Sequence, residues 1–211
     1  MAVTINGKIP PSLLEVYVGL DTSTKTGLVL MQKDGTVYDA RNLRQASDRT
    51  RNKVKQKRNP YDRLAAVENE LNDLLCNQHI KVVGAFIEKY AFNLHGKMKQ
   101  SPDSIITQCR YGEMIRNVLW EQDIPMTEVT PPQLKMYALG SGKGGKDEIR
   151  LAVFKNWNEE FKTDDECDAF VLARMCRDLY EGVEVTKYRA DVLDKVWNAD
   201  HNETFRNSID F

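Results

Sequence analysis

The stretch VYVGLDTSTKTGLVLMQKDGTVYDA, residues 16–40, sets how the fold begins. Val16 to Leu20 is an apolar run of strand length, and Gly27 to Met31 is a second. The link after the second run, Gln32 to Thr36, contains Asp34-Gly35, the strongest short hairpin signal, because such turns need residues that accept positive φ. Thr36 to Ala40 then makes a third strand, antiparallel to the second. A chain that opens this way opens on a three-stranded meander. One acid, Asp21, stands at the end of the first run, before the polar link Thr22 to Thr26. Two readings are open for it. It caps a turn, or it is held at a strand end to grip a metal or a phosphate.

Further along, Leu64, Val67, Leu71 and Leu74 recur at helical spacing and give one apolar face. KVVGAFIEKY, residues 81–90, follows that helix as an apolar run that ends on Glu88. A strand that follows a helix is expected parallel to the first strand. Asp21 and Glu88 would then emerge at the same edge of the sheet, where ligand sites of open α/β sheets lie. FNLHGKMKQSPDS, residues 92–104, reads as a polar loop and a mobile flap. Ser101-Pro102 has the form of an N-cap and first residue of a helix reaching about Glu121, with Ile105, Cys109 and Val118 inward. Met126 to Thr130 is a short strand, and Thr130-Pro131 opens a helix that stops at Gly140. A glycine-rich turn, 140–147, leads into a helix from Lys146 to about Asn156. The last core helix runs from about Asp165 to Tyr180, with Val171, Leu172, Met175 and Leu179 on its apolar face. The expected fold is α/β. It is an RNase H-like mixed five-stranded sheet, an antiparallel meander plus parallel strands, with helices on both faces. Residues 1–180 would be one domain carrying a basic insertion at about 41–60. Residues 181–211 would be an extension, not a separate domain, with one amphipathic piece, ADVLDKVWN.

The 211 residues suffice for one domain with a real core, and no apolar run approaches the ~18 residues of a membrane span. The N-terminal MAVTINGKIPPSLLEVY has neither the basic flank and apolar centre of a secretion signal nor the Arg-rich character of a transit peptide, so the expected compartment is the cytoplasm. Cys76, Cys109, Cys167 and Cys176 contain no C-x-x-C pair, and His79, His95 and His201 are scattered. That pattern favours free thiols over a zinc site. Net charge is −1, yet Arg41 to Arg63 carries nine Lys or Arg against Asp48 and Asp62, which leaves the remainder at −8. Such a stretch, with Arg51, Lys53, Lys55, Lys57 and Arg58 at its centre, suits a polyanion, or it is a solvated loop.

Near the other end lies TDDECDAFVLARM, residues 163–175. Asp165 and Asp168 are three apart at the start of a helix and share a face. The helix dipole alone accounts for acids in the first turn, Asp164, Asp165 and Glu166. Asp168 lies further in, beside apolar residues, and needs a partner, for which a divalent cation is one candidate. Asp21, Glu88, Asp165 and Asp168 together could hold two hard cations in an all-oxygen site, the layout of phosphodiester hydrolysis.

These pieces resemble the RuvC family of Holliday-junction resolvases. The matching segments are GLDTSTKTGLVL around Asp21, FIEKY around Glu88, VTPPQLKMYALGSGKGGKDEIRLAV at 129–153, and DECDAFVLA at 165–173. The likeness spans roughly residues 15 to 180. It implies a homodimeric endonuclease that uses Mg²⁺, with Mn²⁺ substituting, and that nicks two strands of a four-way DNA junction symmetrically. It implies Asp21, Glu88, Asp165 and Asp168 as catalytic metal ligands, with Lys135 and Lys146 near the scissile phosphate. Phosphate contacts would come from the basic insertion, from Lys89, Lys97 and Lys99, and from Lys143 and Lys146. The family's junction-wedging aromatic has two candidates here, Tyr90 and Phe92. The longer basic insertion and tail are more like phage- or virus-borne relatives, so the compartment implied is the cytoplasm of a bacterial cell or a phage-infected host.

Rival classes are weaker. GLDTSTKTG also resembles the first phosphate loop of sugar kinases and actin-like ATPases, but no second acidic, glycine-rich phosphate loop follows. GSGKGGKD is not a nucleotide-binding P-loop, because Asp147 stands where Ser or Thr is needed. A non-catalytic DNA-binding module gains nothing from four mutually repelling carboxylates. A nuclease of the same fold that cuts forks, flaps or other branched intermediates is the remaining alternative.

Overall fold

The computed structural model describes residues 13–43, 60–92 and 100–199. β1 (Leu14–Asp21), β2 (Gly27–Gln32) and β3 (Val37–Asn42) form the expected meander, β1 and β2 antiparallel and β2 and β3 antiparallel. After α1 (Pro60–Leu75), β4 (Ile80–Glu88) returns parallel to β1. After α2 (Pro102–Glu121), β5 (Met126–Val129) adds parallel to β4. The sheet order is therefore β3-β2-β1-β4-β5. The chain continues through α3 (Pro131–Leu139), α4 (Lys146–Trp157), α5 (Asp164–Tyr180) and α6 (Lys187–Trp197). This is the RNase H-like mixed sheet that the strand pattern predicts. No described helix is long and apolar enough to cross a membrane.

β1 and β2 are buried on both faces, which is why they read as unbroken apolar runs rather than alternating ones. Val16, Val18, Leu20, Leu28 and Leu30 point to a core shared with α1 and α2. Tyr17, Val29 and Met31 point the other way, to a core shared with α3, α4, α5 and α6. Asp21 has the parity of Tyr17, and Glu88 that of Phe86, so both carboxylates belong to the α5 side of the sheet.

Glycine sets how closely α5 lies on that side. A Cβ on Gly19 would sit 1.9 Å from the Ala169 carbonyl oxygen, and one on Gly27 would sit 2.0 Å from that of Asp165. Only hydrogen fits at either place, so the first turns of α5 rest directly on the backbones of β1 and β2.

Two expectations shift. The third strand runs two residues further than Ala40, so Arg41 is a strand residue paired with Asp39 and Glu70 rather than the start of a free basic loop. In α2, Val118 is buried as expected, but Ile105 and Cys109 are only partly so, because the buried face begins at Tyr111.

Candidate active site

Asp21 is the last residue of β1 and Glu88 the last of β4. The parallel register pairs Leu20 with Ile87, so the next residues, the two acids, leave the sheet level with one another. Local bonds hold them there. Ser23 N donates to Asp21 Oδ1 at 3.0 Å, and Thr22 Oγ1 donates to the Glu88 carbonyl oxygen at 3.0 Å. Thr22 is thus a buried tie between the two strand ends, while Thr26 closes the turn onto Ser23 O.

α5 brings the other two acids. Its N-terminus is capped by Thr163, whose hydroxyl accepts from Glu166 N and bonds to the Asn42 side chain at the end of β3. Glu166 turns back to accept from Lys162 N and so belongs to the helix start. Asp164 faces α4, where Lys146 Nζ lies 3.2 Å away and Arg150 3.3 Å away. Asp165 and Asp168 act on the strand-end acids instead.

The electrostatics show how close the four are. Burial, then repulsion from Asp165, pushes the Asp21 carboxyl up to about 6. Burial, then the charge of Asp21, pushes Asp168 up to about 7. Glu88 is raised well above the usual carboxylate range, first by burial and then by Asp21 and Asp168. Glu88 and Asp165 both act on Asp21, so the ionised forms of these carboxyls oppose one another. Among the described residues no three of these side chains converge on one point as a finished metal cage. The charge of Asp21 acts on Glu88 and Asp168, and that of Asp165 acts on Asp21. The donors are all oxygen, which suits a hard divalent cation and no soft one.

Two lysines border the group. Lys135 on α3 is near enough to Glu88 to favour its ionised form. Lys146 opens α4, and its ammonium is held charged chiefly by Asp164, with smaller contributions from Asp165 and Asp168. Lys143 is in the glycine-rich turn between α3 and α4. Asp164, which the sequence pattern assigns only to the helix dipole, is thus also the direct partner of Lys146. No spacing rule could have revealed that pairing, because Lys146 and Asp164 sit on different helices.

Beyond Glu88 the two aromatics separate. The Tyr90 hydroxyl donates to Cys109 O and Glu113, and its ring lies between Arg116, 4.4 Å away, and Phe92, stacked at 5.5 Å. Gly112 leaves the space that ring occupies. Tyr90 is therefore fixed against α2, while Phe92 lies on top of it and is 36% exposed. Lys89 is drawn toward Glu128 at 3.9 Å, beside Arg116. The remaining basic candidates, Arg51, Lys53, Lys55, Lys57, Arg58, Lys97 and Lys99, lie outside the described residues, as does the 93–99 part of the expected flap.

No family model matches the chain. It is similar to crossover junction endodeoxyribonucleases RuvC from two strains of Prochlorococcus marinus, 33% and 34% identical over 114 residues, which span 53% of this chain and 67% of each relative. Its backbone is similar to that of the Thermus thermophilus RuvC structure, covering 79% of this chain and 96% of that one at a TM-score of 0.59. It is equally similar to T. thermophilus RuvC in complex with a Holliday junction substrate, at a TM-score of 0.59 and 14% identity. At that identity the structural likeness speaks for the fold.

Proposed function

The chain belongs to the RuvC family of crossover junction endodeoxyribonucleases, and on that basis we propose that it hydrolyses phosphodiester bonds in branched DNA, resolving four-way junctions as a homodimer that nicks two strands symmetrically. The observation that supports this reading is that Asp21 and Glu88 end two parallel strands level with one another, while Asp165 and Asp168 of one helix act on them. Acids held this way are costly alone and favourable around cations. Asp21, Glu88, Asp165 and Asp168 would hold Mg²⁺, with Mn²⁺ as a substitute. When bound, such cations supply Lewis acidity toward the scissile phosphate and lower the pKa of the attacking water.

The chain's own residues do the rest. Lys135 on α3 and Lys146 on α4 would bind the phosphate that enters, offsetting the charge that grows on it in the transition state. Phe92, presented on the fixed Tyr90 ring, would stack on an unpaired base at the branch. Basic residues of 44–58, with Lys97, Lys99 and Lys143, would bind phosphates and supply affinity without base information.

The test uses labelled four-way junction, Y-fork, flap and linear duplex, each with Mg²⁺ and with chelator. Metal-dependent, symmetric cutting of the junction is expected. Failure to cut any branched substrate would end the enzyme reading, and cutting of forks and flaps but not junctions would replace it with a nuclease of broader specificity. In the same assay Asp168→Asn should lose cleavage at least ~10²-fold, more than the loss of a residue that merely supports a metal ligand costs. Junction binding should survive.

A further inference from the structure

Arg189 lies on α6, in the extension beyond the core helices, yet its cation is enclosed by rings. Its guanidinium carbon sits 4.5 Å from the centre of the Trp157 ring, 5.3 Å from that of Tyr137 and 5.6 Å from that of Tyr188. Its Nε donates to the backbone oxygen of Tyr137 at 3.1 Å. Its Nη2 is buried and has no hydrogen-bond partner among the described residues. Arg189 as a whole is half-buried, and the part of its cation shielded from water gains more from the ring faces than an exposed one would.

What Arg189 grips is α3. Tyr137 stacks on Trp157 at 6.3 Å with the rings nearly parallel, and its hydroxyl donates to Asp178 of α5, which also pairs with Arg174 and Arg177. Val192, Leu193 and Val196 of α6 are buried in the same apolar cluster as Leu134, Tyr137 and Ala138 of α3. Tyr188 covers Gly140, the left-handed residue that ends α3. α3 has nine residues, too few to be stable without packing partners. Lys135 lies two residues from Tyr137, and α3 opens just after Val129, the residue that pairs with Glu88 across the sheet, which puts Lys135 near that carboxylate. Any play in α3 is therefore play in the distance between Lys135 and the strand-end carboxylates.

We infer that α6, through Arg189, is a positioning element of the active site: it holds α3 so that Lys135 stays in reach of the phosphate that would enter beside the strand-end acids. The inference rests on the role proposed above for Lys135. Arg189 touches no reacting atom and acts through Tyr137.

The experiment is a double-mutant cycle on the full chain. Single-turnover nicking at saturating four-way junction, junction affinity and melting temperature are measured for Lys135→Ala, Arg189→Met, Arg189→Lys and the Lys135→Ala/Arg189→Met pair. Met keeps the stem and removes the cation. Arg189→Met is expected to slow nicking about ten-fold, since small displacements of a catalytic group cost that much or more. Affinity should stay within about two-fold, and Arg189→Lys should recover part of the rate. In the Lys135→Ala background Arg189→Met should then change nothing further, because the two act as one unit. Multiplied losses, or a wild-type rate in Arg189→Met, overturn the inference and leave the proposed function standing. A wild-type rate in Lys135→Ala overturns the role of Lys135 and the inference with it. Should Arg189→Met be unfolded at the assay temperature, Tyr188→Ala takes its place in the cycle, with the same outcomes.

Discussion

At the residue scale, pH acts directly on Asp21. A carboxyl raised from its ordinary value to about 6 binds its proton more tightly when folded than when unfolded. The sign follows: its favourable contribution is complete below the unfolded value near 4 and is lost as pH rises through the folded value. Asp168, raised to about 7, acts in the same direction over a slightly wider window, and Glu88 does too. In chelator the melting temperature should therefore fall as pH is taken from about 5 to about 8. Asp21→Asn should raise it at about pH 8 while removing cleavage, because an amide carries no charge to repel Asp165. A thermal denaturation series in which wild type and Asp21→Asn share one pH dependence would contradict the assignment. Thr22 and Ser23 also take on definite roles at this scale. The sequence shows them only as part of a polar link, and the structure shows a buried hydroxyl tying β1 to β4 and a backbone N–H holding the Asp21 carboxylate.

Among the elements, α5 carries two of the four acids, and its seat on the sheet is made by Gly19 and Gly27. At Gly27 the obstruction is the Asp165 carbonyl oxygen, so a methyl group there pushes away the turn that bears two of the four acids. Gly27→Ala should cost about 1–3 kcal/mol of stability, the usual range for overpacking. It should also reduce cleavage by more than a stability loss of that size explains at a temperature where the variant is folded, measured as single-turnover rate beside a denaturant titration. The element boundaries were largely legible: Ser101-Pro102 and Thr130-Pro131 do start helices, each with its cap hydroxyl bonded to the backbone three residues on. The close approach of α5 was not, because an isolated glycine inside an apolar run records a missing side chain and not the neighbour that requires its absence.

For the whole molecule, charge is divided between the acidic edge and a basic stretch separate in sequence. Neutralising Arg51, Lys53, Lys55, Lys57 and Arg58 should weaken junction binding and flatten its salt dependence, since every phosphate that no longer meets a cation keeps its counterion and lowers the slope by roughly one. The single-turnover cutting rate at saturating DNA should hardly change. Affinity measured between about 50 and 200 mM salt would check this, and an unchanged slope would return the stretch to a solvated loop. Phosphate binding and carboxylate chemistry then become separable properties, one set by the polyelectrolyte, the other by the strand ends.

The layers and the acids were written in the chain itself. Apolar runs of strand length, Asp34-Gly35, helix caps and the D-x-x-D spacing of Asp165 and Asp168 are local facts, each contained within a few residues. What lies between elements came with folding alone: that Asp21 and Glu88 leave the sheet level, that Asp164 pairs with Lys146, that Tyr90 is fixed while Phe92 is exposed, and that α6 grips α3 through Arg189. The reason is physical. Periodicity and turn chemistry act along the chain over one or two turns, whereas register, ring stacking and ion pairing join residues that are neighbours only once two sheet faces have been covered.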